Sequence, residues 1–258
     1  MRRSLLLFAL VLTACSSSTA PDPTGTVVLQ FKHFVGENPL VLGSMTNVNA
    51  AGNTYSVETL QYYVSDVRFA GPDGIYEEGV VHYVDAADHD THTLTITGIV
   101  PRHYHTISFT FGLSAERNVT GALGGDQVHL NMQWPEAMGG GYHYMKLEGR
   151  FERVGAVPQS YRSHTGRLRD PDGTEHHHDF RMTVTPHMTV GTESPHHVEL
   201  LMDINQWYEN PNVINLETHA DGIMGNTAAQ DLMEANGATV CALGMVDGGG
   251  HDEHDDMP

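Results

Sequence analysis

Leu60-Gln61-Tyr62-Tyr63-Val64-Ser65-Asp66-Val67-Arg68-Phe69 is the run that decides the fold. Its β-branched and aromatic side chains are stiff at χ1 and suit a pleated, half-buried surface better than a helix. Ala51-Gly52-Asn53 before it and Pro72-Asp73-Gly74 after it are turn sequences, so a strand over 55–69 is bounded on both sides. Outward in both directions the pattern repeats. Val27-Val28-Leu29-Gln30-Phe31-Lys32-His33 reads as a strand, as do 80–84, 93–96, 106–111, 128–134, 142–151, 179–185 and 197–204. Gly124-Gly125-Asp126, Gly139-Gly140-Gly141 and Asp170-Pro171-Asp172-Gly173 separate them. Short helices are expected over 204–209 and 227–236, the second with Asn226 at its N-cap and Gly237 at its end. Many short strands without alternating long helices predict an all-β fold, an antiparallel β-sandwich with Greek-key-like connections and one or two short C-terminal helices.

The 258 residues contain 13 basic and 32 acidic side chains, a formal charge of −19 that argues against nucleic acid as a partner and favours cations. At the N-terminus Arg2 and Arg3 precede an apolar stretch over 5–12, closed by Leu12-Thr13-Ala14-Cys15. A membrane-crossing helix needs about 20 apolar residues, so the stretch fits a signal-peptide core instead. Its Leu-Thr-Ala-Cys ending resembles a bacterial lipoprotein signal, with Cys15 the lipidated residue. The expected organisation is a signal over 1–15, a Ser/Pro tether over 16–25, one domain over 26–246 and an acidic tail over 247–258. The protein is thus expected in the cell envelope, lipid-anchored, in the outer membrane of a Gram-negative bacterium. Cys241 is the one other cysteine, which leaves no disulfide framework.

Eighteen histidines are the outlier of the composition. Strand side chains alternate between faces. By that parity His33 is in phase with Leu29 and Phe31, His82 with Val80 and Val84, His103 and His105 with Ile107 and Phe109, and His143 with Met145 and Leu147. Each stands near a strand end on the apolar face, so the rings are expected to converge at one rim of the sandwich. Neutral imidazoles there suit copper, with zinc as second choice, better than calcium or magnesium. Glu148 and Asp85 are expected to orient histidines through hydrogen bonds. His89 and His92 flank an aspartate-rich loop and read as surface residues, and His176-His177-His178 as a loop that scavenges metal weakly.

Several segments together resemble the MbnP-like family of copper-binding proteins. They are Phe31-Lys32-His33-Phe34-Val35-Gly36, Leu60 to Val67, His82-Tyr83-Val84-Asp85, Phe109-Thr110-Phe111-Gly112-Leu113, Met132-Gln133-Trp134, Gly141-Tyr142-His143-Tyr144-Met145-Lys146-Leu147-Glu148-Gly149 and Leu200 to Trp207. The resemblance implies an extracytoplasmic β-sandwich that binds copper as Cu(I) or Cu(II), with copper-handling envelope proteins as partners. Some relatives hold Cu(I) with two histidines and an oxidised tryptophan two residues before the first. The matching position here is Phe31, which cannot supply that ligand, so the site rests on histidines. His33 carries over first, with His105 or His82 as the second. His143 and His164 are further candidates, and Trp134 reads as a core aromatic.

No nucleophile elbow, phosphate loop or dinucleotide fingerprint occurs, so no enzymatic activity is expected. The competing expectation is a metal-free surface lipoprotein module that binds glycan or protein through its sandwich loops, with Trp207-Tyr208 and Tyr62-Tyr63 as contacts.

Overall fold

The computed structural model describes residues 22–153, 155–219 and 222–247. The expected signal over 1–15 with Cys15, the start of the expected tether and nearly all of the acidic tail lie outside the described residues.

Two sheets enclose one main core. In the first, the strand Gly25–Val35 is central, flanked by His196–Asp203 on one side and Thr93–Ile99 on the other, with Cys241–Val246 outside His196–Asp203. The second sheet is built on the 18-residue strand Thr54–Gly71, the run from which the fold was read. Gly74–Asp85, Thr106–Phe111 and His143–Phe151 pair with it, and Gln159–Gly166 and Phe180–Val184 extend the sheet. The strand Gly25–Val35 alternates buried and half-buried along its whole length, as its period-two pattern demands. Val27, Leu29 and Phe31 share this core with Tyr62, Val64, Phe109, Phe111 and Leu147 of the facing sheet, Phe31 lying edge-on to Tyr62 and Phe109.

The all-β sandwich is as expected, with one addition. Gly25–Val35 and His196–Asp203 run parallel, joined through the rest of the chain. Such a pairing needs a long crossover, and a hairpin-based reading of local turns has no signal for it.

The segment over 128–134 is not the strand expected. Gln127–Asn131 is a short α-helix, with Val128 and Leu130 exposed at 43% and 44%. Alternation of apolar residues misled here because no neighbouring strand pairs with the segment. Only Gln133 makes an isolated bridge, to Tyr142. The helix covers a second, smaller core on the outer side of the large sheet, formed by Tyr63, Leu113, Met132, Tyr142 and Tyr144. Adjacent Tyr62 and Tyr63 therefore point to opposite faces, and both faces are covered.

Towards the C-terminus the 3-10 turn Ile204–Tyr208 and the helix Thr227–Gly237 form where helices were expected. Asn226 caps the helix, its side-chain oxygen accepting from the Ala229 amide at 3.1 Å. Replacing Asn226 by alanine is expected to cost about 1 kcal/mol in a urea-unfolding measurement. Gly149 is more demanding: a Cβ there would collide with the Ser56 carbonyl oxygen of the neighbouring strand. Gly149→Ala must push the paired strands Thr54–Gly71 and His143–Phe151 apart. Expected destabilisation is about 3 kcal/mol or more, read from the shift in denaturation midpoint.

Candidate metal centre

The histidines do not share one rim. They form separate groups, because a single reversal of side-chain direction sends a ring to another face.

The first group sits at the end of the strand Gly25–Val35. His33, the last inward position but one, is 8% exposed. Its Nε2 lies 3.0 Å from the Tyr62 hydroxyl, which leaves Nδ1 uncommitted. Beyond the strand Gly74–Asp85 the chain makes the 3-10 turn His89–His92, started by Asp88, whose carboxylate accepts from the Asp90 amide. A 3-10 turn has three residues per turn, so side chains three apart eclipse. His89 and His92 therefore stand on one side, rings 4.9 Å apart, and His92 lies 5.1 Å from the ring of His33. His92 Nε2 is 2.9 Å from the Asp85 carbonyl oxygen, which orients the ring and leaves Nδ1 free. His82 stacks on Phe31 at 5.9 Å, and its Nε2 is 2.8 Å from the Thr91 carbonyl oxygen, so it supports the turn. Phe31, at the position two before His33, packs edge-on against Tyr62 and Phe109. A cleft of about 420 Å³ opens onto the group, lined among others by His33, Pro39, Leu40, His89 and His92.

Burial holds His33 neutral: desolvation, aided by His92, lowers its pKa to about 4 against the opposing pull of Asp85. Soft donors share its face of the sheet. Met202 is the direct partner of His33 on the neighbouring strand, and Cys241 is the partner of Met202 on the strand beyond. Cys241 is a free thiol.

His143 and His164 meet elsewhere, their rings 5.0 Å apart. His143 is in phase with Met145 by parity, but the register slips where Thr165 and Gly166 pair with Met145 and His143. Its Nδ1 instead lies 3.0 Å from the Met132 carbonyl oxygen, with the ring edge-on to Trp134 at 4.7 Å. Glu148 orients His164 as expected, its Oε1 2.6 Å from Nε2. The Nδ1 of His164 and the indole Nε1 of Trp134 are buried without a partner.

His105 is exposed and belongs to a third group with His103 and His187. The parity argument failed at this point because the chain changes sheets. Arg102–Tyr104 pairs with Met188–Val190, whereas Thr106–Phe111 enters the large sheet, and it is Tyr104, not His105, that is buried. His178 was misread too. It is 2% exposed, bonded through Nδ1 to the Gly166 carbonyl and through Nε2 to Asp231.

Thus the structure joins His33 to His92 and His89, leaves His82 behind Phe31 as a support of the turn, and parts them from His105, His143 and His164. His92 was missed because its loop is rich in aspartate. The signal was present in the three-residue spacing of His89 and His92, which eclipses two imidazoles on any 3-10 turn.

A pH dependence follows. Desolvation pushes His143 down to about 3, with lesser contributions from His164 and Lys146. The unfolded chain binds its proton near the ordinary histidine value of about 6.5. Between the two values the unfolded state holds more protons, so stability is complete above about pH 6.5 and is lost as pH falls towards 3. Together His33 and His143 are expected to remove several kcal/mol, on the order of 3 kcal/mol each at the limit. Urea unfolding of metal-free protein from pH 7 to pH 4 reads this, and His143→Gln should flatten the slope.

The sequence profile of the MbnP family matches residues 24–225. Comparison with curated protein sequences finds no match. Among solved structures the fold is similar to MbnP from Methylosinus trichosporium, with a TM-score of 0.51 and 12% identity, over 74% of this chain and 79% of that one. At that identity the likeness speaks for the sandwich and not for its ligands. With a family match across more than three-quarters of its length, the chain belongs to the MbnP family.

Proposed function

We propose that this protein is a copper-binding lipoprotein of the cell envelope, anchored through Cys15, that captures, stores or hands over copper in exchange with other copper-handling envelope proteins. The observation that carries the metal site is the meeting of His33, His92 and His89 at the cleft. The ring of His92 lies 5.1 Å from that of His33 and 4.9 Å from that of His89, and His33 and His92 each have one nitrogen held by a hydrogen bond and the other uncommitted.

The donor set fits copper. Neutral imidazole suits copper and zinc, and soft sulfur favours Cu(I), here the Met202 thioether and a Cys241 thiol that burial pushes up to about 12. His33 is kept neutral by burial, and Met202 and Cys241 stand in line with it across the sheet. Phe31 and Tyr62 shield the inner side, while the cleft gives a route in and out. The Asp85 carbonyl fixes the tautomer of His92, and the Tyr62 hydroxyl orients the ring of His33, the role outer partners play around metal-binding histidines. With Phe31 in place of tryptophan, the histidines hold the ion without a modified indole.

The net charge of −19 raises the local concentration of cations around the anchored domain. The competing reading, a metal-free module gripping glycan or protein, named Tyr62, Tyr63, Trp207 and Tyr208 as contacts. All four are at most 1% exposed, which leaves that reading without its contact residues.

Metal analysis of the protein purified without a histidine tag or chelators tests the proposal. About one tightly held copper per chain is expected. Protein that takes up no Cu(I) against a competing chelator would overturn it.

A further inference from the structure

A second cluster of histidines lies on the opposite logic of burial, at the surface. The strand Arg102–Tyr104 pairs antiparallel with Met188–Val190, Tyr104 facing Met188 and His103 facing Thr189. Tyr104 and Met188 are fully buried. Side chains directly opposite in an antiparallel pair share a face, and their neighbours point the other way. His103, His105 and His187 must therefore all project outward on the same side. The His187 amide approaches the His105 carbonyl oxygen at 3.4 Å, extending the register by one position. The rings of His103 and His105 are 5.0 Å apart, and those of His105 and His187 5.1 Å. One ring nitrogen from each of the three lies within 4.8 Å of the others.

Two features set this group apart from scattered surface histidines. Among the described residues, the histidines within ion-pair range of a carboxylate are His164, His176, His177 and His178, and none of these three. Three imidazoles thus gather without an anion to attract them. In addition, His187 holds a positive φ of 46°, a backbone state that costs a bulky side chain energy. The turn aims its ring at His105. His103 is oriented as well, its Nδ1 3.1 Å from the Thr189 hydroxyl, which leaves Nε2 for a ligand.

We propose that His103, His105 and His187 form a second, solvent-facing site for a divalent transition-metal ion of the zinc or Cu(II) class, separate from the cleft at His33. Three imidazole nitrogens and no carboxylate match that class and disfavour calcium and magnesium. Bonds of about 2.1 Å to a tetrahedral ion draw the nitrogens together by roughly an ångström, within the reach of exposed rings. The fourth position faces solvent, open to water or to a donor from another molecule. A separate group, His178 with Asp231 and Glu234, is weaker because both nitrogens of His178 are already engaged.

The test is zinc titration of the untagged full chain against a chromogenic chelator, with the zinc-induced rise in Tm as second readout. The variant is His105→Gln combined with His187→Asn, since asparagine tolerates a positive φ and the fold is kept. Loss of one zinc equivalent and of its Tm rise in this variant, with both retained in His33→Ala/His92→Ala, is the expected result. An unchanged stoichiometry and Tm response in the surface variant overturns the proposal. Loss of zinc in the cleft variant alone overturns it equally, by assigning the ion to the cleft. Should the double variant prove unstable without metal, His103→Gln alone is expected to weaken zinc at least about 10-fold, and no weakening there again refutes the site. Cu(I) uptake by the surface variant reports separately on the cleft.

Discussion

Replacing His33 and His92 together by alanine is expected to abolish tight copper uptake, with the affinity for Cu(I) falling by well over 100-fold. Removing a residue that merely orients a metal ligand costs 10- to 100-fold, and here two ligands go. His33 has its second nitrogen held by the Tyr62 hydroxyl, and His92 is held by the Asp85 carbonyl. Neither bond survives the substitution. Competition with a Cu(I)-specific chelator measures the effect. His143→Gln is the control: its ring belongs to the separate pair with His164, and uptake should stay within a few-fold of the wild type. Equal loss in both variants would place the copper elsewhere than the cleft. Removing Tyr62's hydroxyl with Tyr62→Phe should produce an intermediate loss of about 10-fold, as expected for a residue that orients a ligand's ring.

The largest effect on stability is expected at Trp207. Its indole is fully buried between the sheets, with ring centres 5.2 Å from Phe111 and 6.1 Å from Phe180. Phe111 in turn stacks on Tyr62 at 5.1 Å, so the tryptophan supports the wall behind His33. Truncation to alanine leaves a cavity in a close-packed interior, costing about 3–5 kcal/mol. Urea unfolding of the metal-free domain should show a fall of that size. Near-ultraviolet circular dichroism should lose the signal of this aromatic cluster. A change below about 1 kcal/mol would mean that the turn Ile204–Tyr208 does not seal the core. Its indole nitrogen has no hydrogen-bond partner, so burial of apolar area is what it contributes, and Trp207→Phe should recover most of the loss.

Much of the architecture was legible before any coordinates. The long strand Thr54–Gly71 follows from stiff side chains between two turns, and the helix at 227–237 from a capping asparagine and a terminating glycine. These are local facts: each depends on residues within a few positions. The failures share a cause as well. Alternation predicted a strand over 128–134, yet a strand exists only where another chain segment offers it hydrogen bonds, and here none does apart from Gln133. The parallel pairing of Gly25–Val35 with His196–Asp203 joins residues far apart in the chain, which no local pattern encodes.

Taken by itself, the sequence determined most of the sheet-forming segments, the family and the inward position of His33. Tertiary structure decided which imidazoles meet. Parity along a strand fixes direction only until the chain changes sheets or slips register. One such change turned His105 out to solvent beside His187, and one slip turned His143 towards Met132. Folding of the 3-10 turn brought His92, which looked like a surface residue, against His33. Short-range sterics write the elements, but the distance between two rings depends on long-range packing, and that distance is what a metal ion reads.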